Sequence, residues 1–242
     1  MTTGSPVRLI LAFAIPLFIG NVFQQIYNVA DTMIAGYNLG DQAIAAIGAT
    51  SSIFFLLMDF ASGLNSGCGI IVAQAFGAKD QDKVKKSIAA MVVLDLVITL
   101  ILTLFSLIFL MPLMRLINIP ESIFSDAYAY IAIITAGMLA TIAYNMFAAM
   151  MRAVGNSRTP LYFLMISCAI NLSLDCLFII GLGWGVEGAA WATVMAESIS
   201  ALSSGMYVFH KYREILPDRK HFHLEMSLLK EMAATGFAMA LM

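Results

Sequence analysis

The chain has 242 residues, 61% of them hydrophobic and only 12% charged, with a net charge of −2 and a mean hydropathy of +0.89. Soluble domains carry roughly 25% charged residues, so this composition excludes a soluble globular protein and specifies an integral membrane one. The near-neutral charge also argues against a nucleic-acid partner.

Six apolar stretches, at 10–36, 44–73, 87–110, 127–150, 161–181 and 186–209, reach the ~20 residues that a helix needs to cross a bilayer. A seventh begins near Glu225, and the sequence stops inside it. The pattern predicts an all-α integral membrane fold in three parts. Residues 1–209 form a six-helix transmembrane lobe, 210–224 a cytoplasmic inter-lobe loop, and 225–242 the truncated start of a seventh helix. The expectation is therefore a piece of a longer chain; otherwise two copies or a partner half must assemble. The first stretch is not a cleaved signal peptide, because it carries Asn21, Gln24, Gln25, Asn28 and Asp31 and lacks a small-residue cleavage site.

Basic residues set the orientation. With the amino terminus cytoplasmic, twelve Lys and Arg fall on the inner side and only Arg115 on the outer, as expected of a multi-pass plasma-membrane protein. Cys68, Cys168 and Cys176 lie in apolar spans, where cysteine behaves as a small hydrophobe. His210, His221 and His223 cluster after the sixth span. The sequence offers neither zinc nor haem spacing, nor a Ser–His or Cys–His catalytic set, so neither an enzyme nor a cofactor is expected.

Polar residues recur at steps of three or four along the spans, which places each set on one helical face. The first span carries Asn21, Gln24, Asn28 and Asp31, and the second Asp59, Ser62 and Ser66. The third carries Asp95, Thr99, Thr103 and Ser106, the fifth Ser167, Asn171 and Asp175, and the sixth Thr193, Glu197 and Ser200. The Ser and Thr positions are expected to form hydrogen bonds between helices. The acids demand more, since a charged Asp at the bilayer centre costs at least ~2.5–3.5 kcal/mol. With no Lys or Arg expected at their depth, the missing positive charge must be a proton or a metal cation.

Depth sorts the acids. At 1.5 Å per residue, Asp31, Asp175 and Thr193 fall within roughly 7–11 Å of the outer surface, with Asn171 one turn deeper. They meet at one level if the first, fifth and sixth spans are neighbours. Two carboxylates, an amide carbonyl and a hydroxyl make an oxygen-only set suited to a hard cation such as Na⁺. A proton would compete with that cation for the crowded acids. The alternative is an Asp–Asn cluster that only holds helices together. Gln24, Asn28, Asp59 and Glu197 are candidates for a substrate cavity, and Pro16 and Gly155–Asn156 for hinges.

Several motifs carry a resemblance. The first span reads "IPLFIGNVFQQIYNVADTMIAGYNLG", the second ends "GLNSGCGIIVAQAFGAKD", the fourth joins the fifth through "MRAVGNSRTPLYF", and the sixth opens "GWGVEGAAWAT". Over residues ~9–209 the chain resembles the amino-terminal half of a MATE (multidrug and toxic compound extrusion) transporter. The resemblance implies an antiporter of two six-helix lobes, driven by Na⁺ or H⁺, that exports amphipathic and often cationic compounds. It also implies a cation site whose members match Asp31, Asn171, Asp175 and Thr193. Here the second lobe is missing, and "SLLKEMAATGFAMA" looks like the start of the second repeat without its proline. Asp59, Asp95 and Glu197 stand where the family pattern leads one to expect uncharged residues. Two rivals are a lipid-linked saccharide flippase of the same superfamily, which usually needs cationic residues in its cavity, and a non-transporting membrane scaffold.

Overall fold

The computed structural model describes residues 6–223 and 225–241. Eight α-helices follow in order: α1 (Pro6–Leu39), α2 (Asp41–Gly77), α3 (Gln81–Leu116), α4 (Glu121–Ala136), α5 (Met138–Ala153), α6 (Arg158–Asp175), α7 (Gly185–Lys211) and α8 (Met226–Ala240). Among the described residues no strand occurs. Four helices are long and apolar enough to cross a membrane, and α4 with α5 makes a fifth span. Leu96, Leu100, Ile101, Leu104 and Ile108 stay exposed along α3, as a lipid-facing surface requires.

Three spans depart from the expected straight rods. The fourth bends by 45° between α4 and α5, at Gly137. A Cβ at Gly137 would overlap Val194 of α7, so the glycine admits that helix. The fifth span ends in a π-helical segment, Cys176–Gly181, directly after Asp175. Single π turns are frequent beside functional groups. The sixth, α7, is less apolar than the others because Gly188, Ala189, Ala192, Ala196, Ser200 and Gly205 fill its buried face. Small residues let α4, α5 and α6 pack closely around it.

The "RAVGNSRTP" turn is a pair of helix caps. Gly155 takes φ +88°, and its N–H and that of Asn156 donate to the carbonyls of Arg152 and Met151, both at 2.9 Å, closing α5. Asn156 then accepts from Thr159 N–H at 3.1 Å and donates to Tyr212 Oη at 2.9 Å. The expected hinge is therefore a clamped corner. It holds Arg152 and Ser157 in place at the inner ends of α5 and α6.

α8 packs along α2 within the same body. Gly63 and Gly67 of α2 face Ala240 and Gly236 of α8 so closely that a Cβ on either α2 glycine would overlap the α8 backbone. This is small-residue packing of the kind that joins helices in lipid. The preceding loop forms two short turns, Arg213–Ile215 and Arg219–Phe222. His221 is only 3% exposed, accepts from Asp218 N–H at 3.0 Å and lies 3.4 Å from Asp82 of α3.

Most membrane-span hydroxyls bond their own helix rather than a neighbour, contrary to expectation. Thr99 donates to Asp95 O at 2.6 Å and Thr193 to Ala189 O at 3.1 Å. A carbonyl four residues back is always within reach, whereas a partner helix must first be positioned. Ser167, which donates to Ala196 O at 3.3 Å, and Ser200, which donates to Phe163 O at 3.4 Å, do link α6 to α7.

Candidate functional site

Asp31 lies on α1, Asn171 and Asp175 occupy the last turns of α6, and Thr193 comes from α7. α1 packs on α6, and α6 on α7, so the three helices are neighbours. The side chains converge as a result. Asp175 is fully buried and Asn171 is 2% exposed. The carboxyls of Asp31 and Asp175 meet in a side-chain hydrogen bond. Two carboxyls make that bond only when one carries a proton, so the pair already shares one positive charge. Each acid keeps its buried Oδ1 without a partner. Orphaned buried acceptors are uncommon and call for a further donor or cation.

Asn171 links the set. With its nitrogen toward the acids, the amide donates to Asp175 Oδ2 and Tyr27 Oη, both at 2.8 Å, and accepts from Thr193 N–H at 3.0 Å. The opposite rotamer would aim a carbonyl at a carboxylate, so we assign the first. In this arrangement the amide serves Asp175 as a donor, and its carbonyl, expected as a cation ligand, is turned to α7. A half-rotation of the amide reverses the two roles. The donors near the acids are oxygens, and among the described residues no three His, Cys, Asp or Glu gather as a metal cluster. The set fits a hard monovalent cation or a proton.

Two tyrosines join the site that sequence reasoning passed over. Tyr27 stands one turn before Asp31 on the same face of α1, a spacing that could have flagged it. Tyr130 of α4 lies within electrostatic reach of Asp31, Asp175 and Glu197, and no sequence signal links it to them.

A cavity of about 310 Å³ opens beside this site, between α1, α2, α5, α6 and α7. Gln24, Asp59 and Glu197 line it as expected, whereas Asn28 lies outside the lining. Glu197 accepts a hydrogen bond from Thr141 of α5. Phe54, Phe55, Met58 and Leu164 supply an apolar wall. One expectation is overturned. The side chain of Arg152, counted as a cytoplasmic loop residue, lines the same cavity as Asp59 and Glu197. The corner at Gly155 places it on the last turn of α5, where its long side chain reaches inward.

Fold and site together define a multi-pass helical membrane protein with a buried acidic pair and a polar internal cavity. Residues 16–177 match the MatE family model, and the chain belongs to that family, whose members are transporters and not enzymes. It is 29% identical over 224 residues to the probable multidrug resistance protein YoeA of Bacillus subtilis, covering 90% of this chain and 48% of the relative. YpnP of the same organism, also named a probable multidrug resistance protein, is 31% identical over 211 residues, covering 87% and 47%. A crystal structure of MATE in the bent conformation superposes with a TM-score of 0.91 at 26% identity, over 98% of this chain and 53% of that one. The chain thus spans about half the length of the curated relatives it matches.

Proposed function

We propose that the chain forms one lobe of a cation-coupled multidrug efflux antiporter of the plasma membrane, with its amino terminus cytoplasmic. Na⁺ or H⁺ is taken at Asp31, Asn171, Asp175 and Thr193. The observation that carries this reading is the contact between the Asp31 and Asp175 carboxyls, each with an orphaned Oδ1. The names of YoeA and YpnP support drugs as the exported class.

The chemistry follows from charge. A shared proton or a bound cation lets the two carboxyls stay together; without it they repel, and α1 is driven from α6. With a proton bound, the Asn171 amide donates to Asp175; with Na⁺ bound, its carbonyl rotates toward the ion. An amphipathic cation enters the cavity toward Glu197 and Asp59, and a second lobe supplies the opposite wall. Antiport requires only that cation and drug prefer different states. The presence of Arg152 in the cavity favours the flippase reading more than the sequence did, but a single cation is a small match for a lipid pyrophosphate.

Ethidium uptake into everted vesicles, with and without a Na⁺ or pH gradient, tests this reading. Asp31→Asn and Asp175→Asn should insert normally and lose gradient dependence. Undiminished coupling in both variants ends the proposal.

A further inference from the structure

The cavity is polarised, and its inner end is built to receive an anion. Arg152 and Ser157 stand there, while Thr141, Ser167 and Glu197 occupy the other end. Thr141 and Arg152 are separated by eleven residues of α5, roughly 16 Å along its axis. Among the described residues Arg152 makes neither an ion pair nor a hydrogen bond, although a half-buried guanidinium has five N–H groups to satisfy. Ser157 is 4% exposed, lines the cavity, and likewise has no hydrogen-bond partner among the described residues. The start of α6 adds little by itself, since Asn156 caps Thr159 N–H and Pro160 has none. The nearby Asn145 and Tyr144 are neutral, and Tyr144 already donates to Pro160 O at 3.1 Å. A buried cation without a counter-ion is costly, and here it faces an open space that a ligand can enter.

We propose that the cavity recognises amphipathic zwitterions, with the ligand's carboxylate or phosphate bound by Arg152 and Ser157 and its cationic group directed to Glu197. This rests on the export reading above and adds to it a second recognition element of opposite sign. A purely cationic ligand leaves Arg152 unpaired, whereas a zwitterion satisfies both ends of the cavity. Arginine is suited to this because its planar fork matches a carboxylate or phosphate with two parallel hydrogen bonds.

The test uses rhodamine B, whose free carboxylate makes it zwitterionic, and its ethyl ester, which is cationic and otherwise the same. Binding to the purified protein is read by fluorescence anisotropy in detergent micelles. The wild type should bind rhodamine B about tenfold more tightly than the ester, the scale of one charge-assisted hydrogen-bonded pair. Arg152→Gln should erase that preference while leaving ester affinity within about twofold, and Arg152→Lys should retain part of it. Ser157→Ala should weaken rhodamine B alone. Displacement of rhodamine B by short-chain phosphatidylcholine identifies lipid as a source of the same chemistry; persistence assigns it to soluble compounds. Equal loss of both dyes in Arg152→Gln would mean a merely structural arginine and overturn the proposal. Ester binding with no carboxylate preference in the wild type overturns it too, yet leaves the export reading standing. Failure of both dyes to bind removes the two together.

Discussion

At the scale of single residues, the site depends on who donates and who accepts among Tyr27, Asp31, Asn171, Asp175 and Thr193. Tyr27→Phe removes one hydrogen bond to the Asn171 amide, worth about 0.5–1.5 kcal/mol. Isothermal titration should show Na⁺ affinity weakened by up to roughly tenfold, with the fold retained by circular dichroism. Acid should act in the same direction. Protons and Na⁺ compete for the same carboxyls, so apparent Na⁺ affinity should fall as pH falls and recover as it rises. Much of this was legible in the sequence. Depth and helical period placed Asp31, Asn171, Asp175 and Thr193 at one level, because both follow from the fixed rise of a helix. The direction of the Asn171 amide was not legible, since it depends on a backbone N–H of another helix. Arg152 was misplaced for a related reason. Counting positions in a loop does not reveal that a clamped corner turns a basic side chain inward.

Helices raise questions of caps and close approaches. Gly155 occupies the left-handed region, so Gly155→Ala should cost about 1–2 kcal/mol, read as a lower melting temperature in detergent. Because this corner also positions Arg152 and Ser157, the same variant should impair ligand binding in the cavity. Gly67→Leu on α2 would drive a side chain into the α8 backbone at Gly236. Overpacking of this kind costs about 1–3 kcal/mol, and limited proteolysis of the loop before α8 should accelerate. An unchanged melting temperature and digestion rate would deny the α2–α8 packing. The apolar stretches announced nearly every helix. The bend at Gly137 and the π turn after Asp175 escaped notice, because both are set by what packs against them: Val194 on α7, and the stacked pair Phe178 and Trp184.

For the whole molecule, the six-helix lobe follows from a chain too apolar for water and too short of basic residues outside to insert the other way. In a background lacking the exposed Cys176, Asn118→Cys should react with a membrane-impermeant maleimide on intact cells. Arg213→Cys should react only after permeabilisation, and the opposite pattern would contradict the proposed orientation. The lobe was legible because composition and length dictate spans. How its cavity is finished on the open side depends on a second lobe, whose residues lie outside this sequence.

The central claim is that Asp31 and Asp175, from separate helices, hold one guest between them. A double-mutant cycle on Na⁺ binding, measured by isothermal titration of wild type, Asp31→Asn, Asp175→Asn and the double variant, tests it most directly. One shared ion predicts that each single change abolishes binding and that the double change does no further harm. Binding that survives either single change, or losses that simply add, would contradict the account.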